Sequence, residues 1–172
     1  MQKIMFGLIA GLILLPNFAV AQERRGDFAV GYAFTRDAIN LPLAITASDA
    51  FRLAPKFDLV LEGQFSHGSV GDVGLNMWGV MAGPRIVSGS RYGEGVSGFG
   101  QVLVGVMGVS ATYGFDRVSN TGLGIQPGFG VEIPVSPKFS IRPQFDLPVG
   151  RFGGEWGVDK RFNVNAVFIL FR

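Results

Sequence analysis

The sequence predicts an all-β chain folded as an eight-stranded antiparallel up-and-down transmembrane β-barrel. Three observations predict it. Residues 123–147 alternate strictly around a Pro134-Val135-Ser136-Pro137-Lys138 turn. Leu123, Ile125, Phe129, Val131 and Ile133, then Phe139, Ile141, Phe145 and Leu147, fall on one face. Gly124, Gln126, Gly128, Gly130 and Glu132, then Ser140, Arg142, Gln144 and Asp146, fall on the other. A strand puts successive side chains on opposite sides, so this is a hairpin with one apolar and one polar face. Second, beyond residue 21 no apolar run approaches the roughly 20 residues a spanning helix needs, whereas alternating strands of a barrel escape that test. Third, the polar face is built of small residues and charges of both signs, as a narrow interior would require.

The totals fit. The 172 residues suit one domain, and 16% charged residues is low against the usual quarter. Gly and Phe are both abundant, at 26 and 16. Without Cys and with one His, disulfides and the common Cys/His zinc sites are excluded. A net charge of +2 with no basic cluster gives no footprint for nucleic acid.

The chain divides at residue 21. Lys3 supplies a positive start, residues 4–15 an apolar run interrupted by Pro16-Asn17, and Ala19-Val20-Ala21 a small-x-small cleavage site. Residues 1–21 read as a secretory signal peptide and residues 22–172 as an outer-membrane β-barrel domain.

Eight strands follow in order. Residues 27–35 alternate Phe28, Val30, Tyr32 and Phe34 against small residues. Residues 42–53 form a weaker second strand whose apolar face Asp49 interrupts. The third, 57–66, sets Phe57, Leu59, Leu61 and Phe65 against Asp58, Glu62 and Gln64. Residues 67–76 are Gly-rich and read as a loop. The fourth strand, 77–87, sets Trp78, Val80 and Ile86 against Gly79, Met81, Gly83 and Arg85. After a polar turn at 88–95, the fifth, 96–110, carries Val102, Val104 and Val106 on one side. Residues 111–121 read as a polar loop. The opening hairpin gives strands six and seven, and 149–159 is a loop. Strand eight, 160–172, sets Phe162, Val164 and Phe168 against Asn163 and Asn165. The expected pattern is short periplasmic turns and longer extracellular loops. Pro127 and Pro143 fall inside strands, where proline cannot donate to a ladder, and so mark bulges or strand limits.

Alternation alone leaves the direction of the faces open. A soluble barrel binding an apolar ligand, or a secreted sandwich, would turn the apolar face inward and solvate the charges. The smallness of the polar face favours the reverse. Phe57, Leu59, Leu61, Phe65, Trp78, Val102, Val104, Phe129, Val131, Phe139, Ile141, Phe162, Val164 and Phe168 then face lipid, with aromatics near strand ends. Glu62, Arg85, Glu132, Arg142 and Asp146 face the lumen. Charges in a dry lumen must be paired, so these five predict a plug of salt bridges.

Gly83-Pro84-Arg85, the segment from Phe99 to Gly105, Gly128-Phe129-Gly130-Val131-Glu132 followed by Ser140-Ile141-Arg142-Pro143, and Arg151-Phe152-Gly153-Gly154 carry a resemblance. Together they resemble the small bacterial outer-membrane β-barrels, the porin-like family related in architecture to OmpA. The resemblance covers nearly all of residues 22–172. It implies an eight-stranded barrel in the cell outer membrane, no cofactor and no assigned activity. It implies outer-membrane lipid, lipopolysaccharide and the barrel-assembly machinery as partners, and a monomer. Such barrels commonly end on an aromatic residue, whereas here Phe171 is penultimate to Arg172.

Function then reads as structural or interactive, with at most small-solute passage. One alternative is enzymatic. His67 and Ser69 resemble the His-x-Ser pair of outer-membrane lipid A deacylases, with Glu62 as the carboxylate that would orient the base. Those enzymes carry the pair late in the chain, and a solvated loop histidine accounts for the same residues. Gly98-x-Gly100 lacks the strand-to-helix setting of a nucleotide loop.

Overall fold

The computed structural model describes residues 26–36, 40–41, 43–70, 73–89, 95–114, 116–152 and 154–171. The expected signal peptide, residues 1–21, and Arg172 lie outside them. The described chain is all strand and turn: β1 (Gly26–Arg36), β2 (Asn40–Leu41), β3 (Leu43–Ala54), β4 (Phe57–Val70), β5 (Val73–Ser88), β6 (Ser97–Tyr113), β7 (Asp116–Ser136), β8 (Phe139–Asp146), β9 (Val149–Phe152), β10 (Glu155–Val158) and β11 (Arg161–Phe171).

Eight of these close a ring. Following the hydrogen bonds gives β1, β3, β4, β5, β6, β7, β8, β11 and back to β1, every pair antiparallel. β9 and β10 form a hairpin that continues past a break at Leu147-Pro148 and pairs with β7 through Gly124–Gly150 and Ile125–Val149. Closure matters because a barrel leaves no row of unpaired backbone groups along its body.

Residues 149–159, expected as a loop, hold the β9–β10 hairpin instead, and three further expectations change. Residues 67–70 and 73–76 are strand, paired to each other from His67–Asn76 to Val70–Val73. Residues 111–113 and 116–121 are likewise paired, from Ala111–Val118 to Tyr113–Asp116. Glycine and small polar residues weaken a side-chain face but still donate and accept on the backbone, so the ladders run to tight turns. At one such turn Gly114 takes φ = 56°, a conformation that two-residue hairpin loops require and glycine tolerates. The third change concerns connections. At the end bearing Gly26 and Phe171, β5 and β6 are joined by residues 89–96, longer than the two-residue links of β4–β5 and β6–β7 at the opposite end. The rule of short turns at one end and long loops at the other therefore fails in the middle of the chain.

Pro127 and Pro143 lie within strands, as do Pro84 of β5 and Pro134 of β7. Leu147 N donates to Pro127 O at 2.9 Å, but Pro127 has no N–H to return. The β7–β8 ladder runs Gly128–Asp146, Phe129–Phe145, Gly130–Gln144, then resumes at Ile133–Ile141 in the same register, skipping the Val131–Pro143 and Glu132–Arg142 pairs.

The faces sort as follows. Phe57, Leu59, Phe65, Trp78, Val102, Val104, Phe129, Val131, Ile141, Phe162, Val164 and Phe168 are exposed, while Leu61 and Phe139 are half-buried. Asp49 sits half-buried on this outer face, paired to Phe28 and Leu61. Inside, Ala50, Val60, Met81, Leu103 and Met107 form a buried apolar layer against Phe152. The interior is thus part polar and part apolar.

Candidate functional site: the polar lumen

Period-two alternation aims one side chain in two at the axis, and a ring of eight strands brings residues far apart in sequence into contact there. Glu62, Arg85, Glu132, Arg142 and Asp146 are all buried. Asp27, Asp58, Gln101, Gln126, Gln144, Arg161, Asn163 and Asn165 are buried with them.

Arg142 on β8 is the hub. Its Nη2 donates to Asp27 Oδ1 of β1 at 2.8 Å and to Glu132 Oε2 of β7 at 2.7 Å, and its Nε reaches Glu132 Oε2 at 3.2 Å. Arg142 thereby ties β8 to its hairpin partner β7 and, past β11, to β1 at the other end of the chain. The Phe99 ring lies beneath two cations, with the Arg85 guanidinium 4.7 Å and that of Arg142 5.6 Å from its centre. A desolvated cation over an aromatic face is attracted by the ring quadrupole.

The other predicted charges are held by amides. Arg85 Nε and Nη2 donate to Gln101 Oε1 at 2.9 and 2.8 Å. Gln126 Nε2 donates to Glu62 Oε1 at 2.7 Å. Gln144 Nε2 donates to both Asp146 oxygens, at 2.9 and 2.8 Å, and Asn163 Nδ2 donates to Asp146 Oδ2. Thr46 donates to Asn165 Oδ1 at 2.9 Å, and Asn165 Nδ2 donates to the Arg142 carbonyl. Of the five charges, Arg142 and Glu132 pair directly, while Glu62, Arg85 and Asp146 sit in a mixed amide and ionic network. The missing members were legible by parity: Asp27 shares the phase of Ala29, and Arg161 that of Asn163.

The residues of the enzymatic alternative are not assembled. His67 and Ser69 are exposed on the outside of β4, whereas Glu62 is buried in the lumen. His67 Nδ1 shares a hydrogen bond with Asn76 Oδ1 at 2.8 Å. Among the described residues no group of three or more His, Cys, Asp or Glu could hold a metal ion.

No protein-family model and no curated protein matches the sequence. Solved structures do match. The fold is that of small outer-membrane β-barrels. Neisserial surface protein A (NspA) superposes with a TM-score of 0.66 at 11% identity, covering 89% of this chain and 100% of that one. The N-terminal β-barrel domain of Pseudomonas aeruginosa OprF gives 0.61 at 16%, covering 86% and 98%. Ail, the attachment invasion locus protein of Yersinia pestis, gives 0.59 at 16%, covering 86% and 99%. Identity this low speaks to the backbone path, and the side chains must argue the rest.

Proposed function

We propose that this chain is an integral β-barrel of the bacterial outer membrane with a closed lumen, serving as a structural or interaction protein. The observation that carries the proposal is the inverted partition of side chains. Phe129 is 62% exposed on the outside, while Gln126 and Asp146 are 0% exposed within. In water, an exposed apolar band of this extent would exceed the few hundred Å² that soluble monomers tolerate. Against acyl chains the same band costs nothing to expose. Glu62, Arg85, Glu132, Arg142 and Asp146 have inward hydrogen-bond partners, which the hydrocarbon could not give them.

The same burial supports a closed lumen: Leu103, Met81, Val60 and Gln126 have no accessible surface. Small-solute passage would need that layer to move. Bulk lipid and lipopolysaccharide contact the outer band, the barrel-assembly machinery inserts it, and ring closure favours a monomer. No catalytic step is assigned, because His67 and Ser69 face away from the carboxylate that would orient them.

Membrane fractionation tests this reading. The chain should stay with the membranes after an alkaline wash, dissolve only in detergent, and run differently on gels with and without heating. Recovery in the aqueous fraction would overturn it. Reconstituted in planar bilayers, the barrel should give no steady conductance, and stable large pores would overturn the closed lumen.

A further inference from the structure

The outer wall is not smooth. A cavity of about 720 Å³ opens on its outside across β5, β6 and β7 and reaches Phe145 and Leu147 at the end of β8. Its floor is β6, where the outward positions Gly98 and Gly100 carry no side chain, and a Cβ built on Gly100 would meet nothing within 4 Å. Gly100 is paired to Ile86 on one side and to Phe129 on the other, so these two side chains form the walls. They are 64% and 62% exposed, and the Phe129 ring leans on that of Phe145 on β8, 5.6 Å between centres. Val102, the next outward residue of β6, closes one end. Ser88, paired to Gly98 and hydrogen-bonded to its carbonyl at 3.2 Å, marks the other end, toward the edge of the barrel that bears the termini.

We infer that this trough is a binding site for one acyl chain of a membrane lipid, lying along β6 with its polar end beside Ser88. The inference rests on the bilayer reading above and specifies a site within it. Dimensions select the occupant. Strands lie about 4.8 Å apart, so the walls on β5 and β7 stand on backbones about 10 Å apart. A helix with side chains is 10–12 Å across and cannot reach a floor set between them. A single hydrocarbon chain can, and from Gly98 to Val102 the floor is about 13 Å long. The lining is continuous with the apolar outer band, so a chain enters from the bilayer without crossing water. The one polar side chain at the mouth lies where a headgroup would sit, at the rim.

The test uses the full barrel, stripped of lipid by detergent exchange and titrated with dimyristoyl phosphatidylethanolamine under native mass spectrometry. Wild type should retain one lipid. Gly100→Leu fills the trough and should retain it about tenfold less tightly, the factor that corresponds to about 1.4 kcal/mol. Val104→Leu, which adds bulk on the same strand beyond the closed end, should bind as wild type. Phe129→Ala removes a wall and should also weaken retention, so the inference stays testable should Gly100→Leu not give the heat-modifiable folded band. Equal retention by wild type and the folded variants, no retained lipid in wild type, or a dimer in place of a lipid adduct would overturn it. Loss of membrane association would instead overturn the bilayer reading, which fractionation reports separately.

Discussion

β7 is bonded very differently along its two edges. Toward β6 its partners run unbroken from Glu132–Ser97 to Asp116–Tyr113. Toward β8 the ladder is interrupted, and proline is the reason: Pro127 cannot return the bond it accepts from Leu147, and Pro143 cannot donate to Val131. In lipid no water replaces a missing backbone partner, so such a seam needs other support. It has it in the lumen. Glu132 and Arg142 fall opposite each other in the register kept from Gly128 to Pro134, and with Val131 and Pro143 they make up the skipped pairs. Their ion pair spans the two strands where the backbone pairing lapses. One edge of β7 is held by the main chain, the other in part by side chains.

Removing that side-chain tie should have the largest effect. Arg142→Ala leaves Glu132 and Asp27 buried without their shared cation, and breaking a buried ion pair by deleting one partner costs about 3–5 kcal/mol. Urea unfolding in micelles, followed by the folded band on unheated gels, should show a large drop in midpoint. Hydrogen exchange should show the loss concentrated on the β7–β8 edge, with β6 amides protected until global unfolding. Equal loosening of both edges would show that the tie is not local.

Glycines sharpen the contrast at intermediate size. Gly105 pairs with Gly124 on the intact edge, and its Cβ would strike the Val80 carbonyl and the Met81 backbone of β5. Backbone in a closed wall cannot give way, so Gly105→Ala should cost about 1–3 kcal/mol, as overpacking does. Gly128 pairs with Asp146 on the broken edge, and its Cβ would meet the end of the Asp146 side chain. A side chain can move, though its bonds to Gln144 and Asn163 resist. Gly128→Ala should therefore cost less than Gly105→Ala in the same unfolding assay. The reverse order would mean that the amide cluster is stiffer than the wall.

Much of this was legible in the residues. Strand phase placed Phe129 and Ile141 on one face and Glu132 and Arg142 on the other, because one-residue slips invert a whole strand and leave little ambiguity. The far ends of the hairpins were not legible. Gly68, Gly74 and Gly122 carry no side chain to register a face, so segments that pair by backbone alone look like loops. Nor were the partners of the lumen charges. Parity says that Asp27, Glu132 and Arg142 point inward, but which of them meet depends on the stagger of strands around the ring. Glu62 and Asp146 are likewise met by Gln126, Gln144 and Asn163, since an amide of the right length can donate to a carboxylate where no arginine reaches it.

The smallest effect expected is a gain. Pro143 is half-buried on the outer face of β8, next to Gln144 and Arg142, which point inward. Pro143→Val supplies an N–H directed at Val131, keeps an apolar group on the outer face, and suits a strand. One added backbone hydrogen bond is worth about 1 kcal/mol, somewhat offset by the freedom that proline denies the unfolded chain. The variant should unfold at slightly higher urea, and the amides of Val131, Ile133 and Phe145 should exchange more slowly while those of β6 stay unchanged. If the midpoint instead falls, the proline is fixing a backbone path that Arg142 needs in order to reach Asp27 and Glu132. The double variant Pro143→Val/Arg142→Ala separates the two cases. Additive effects mean that the ladder and the ion pair support the seam independently, and a Pro143→Val penalty that vanishes without Arg142 means that the proline acts by positioning the arginine.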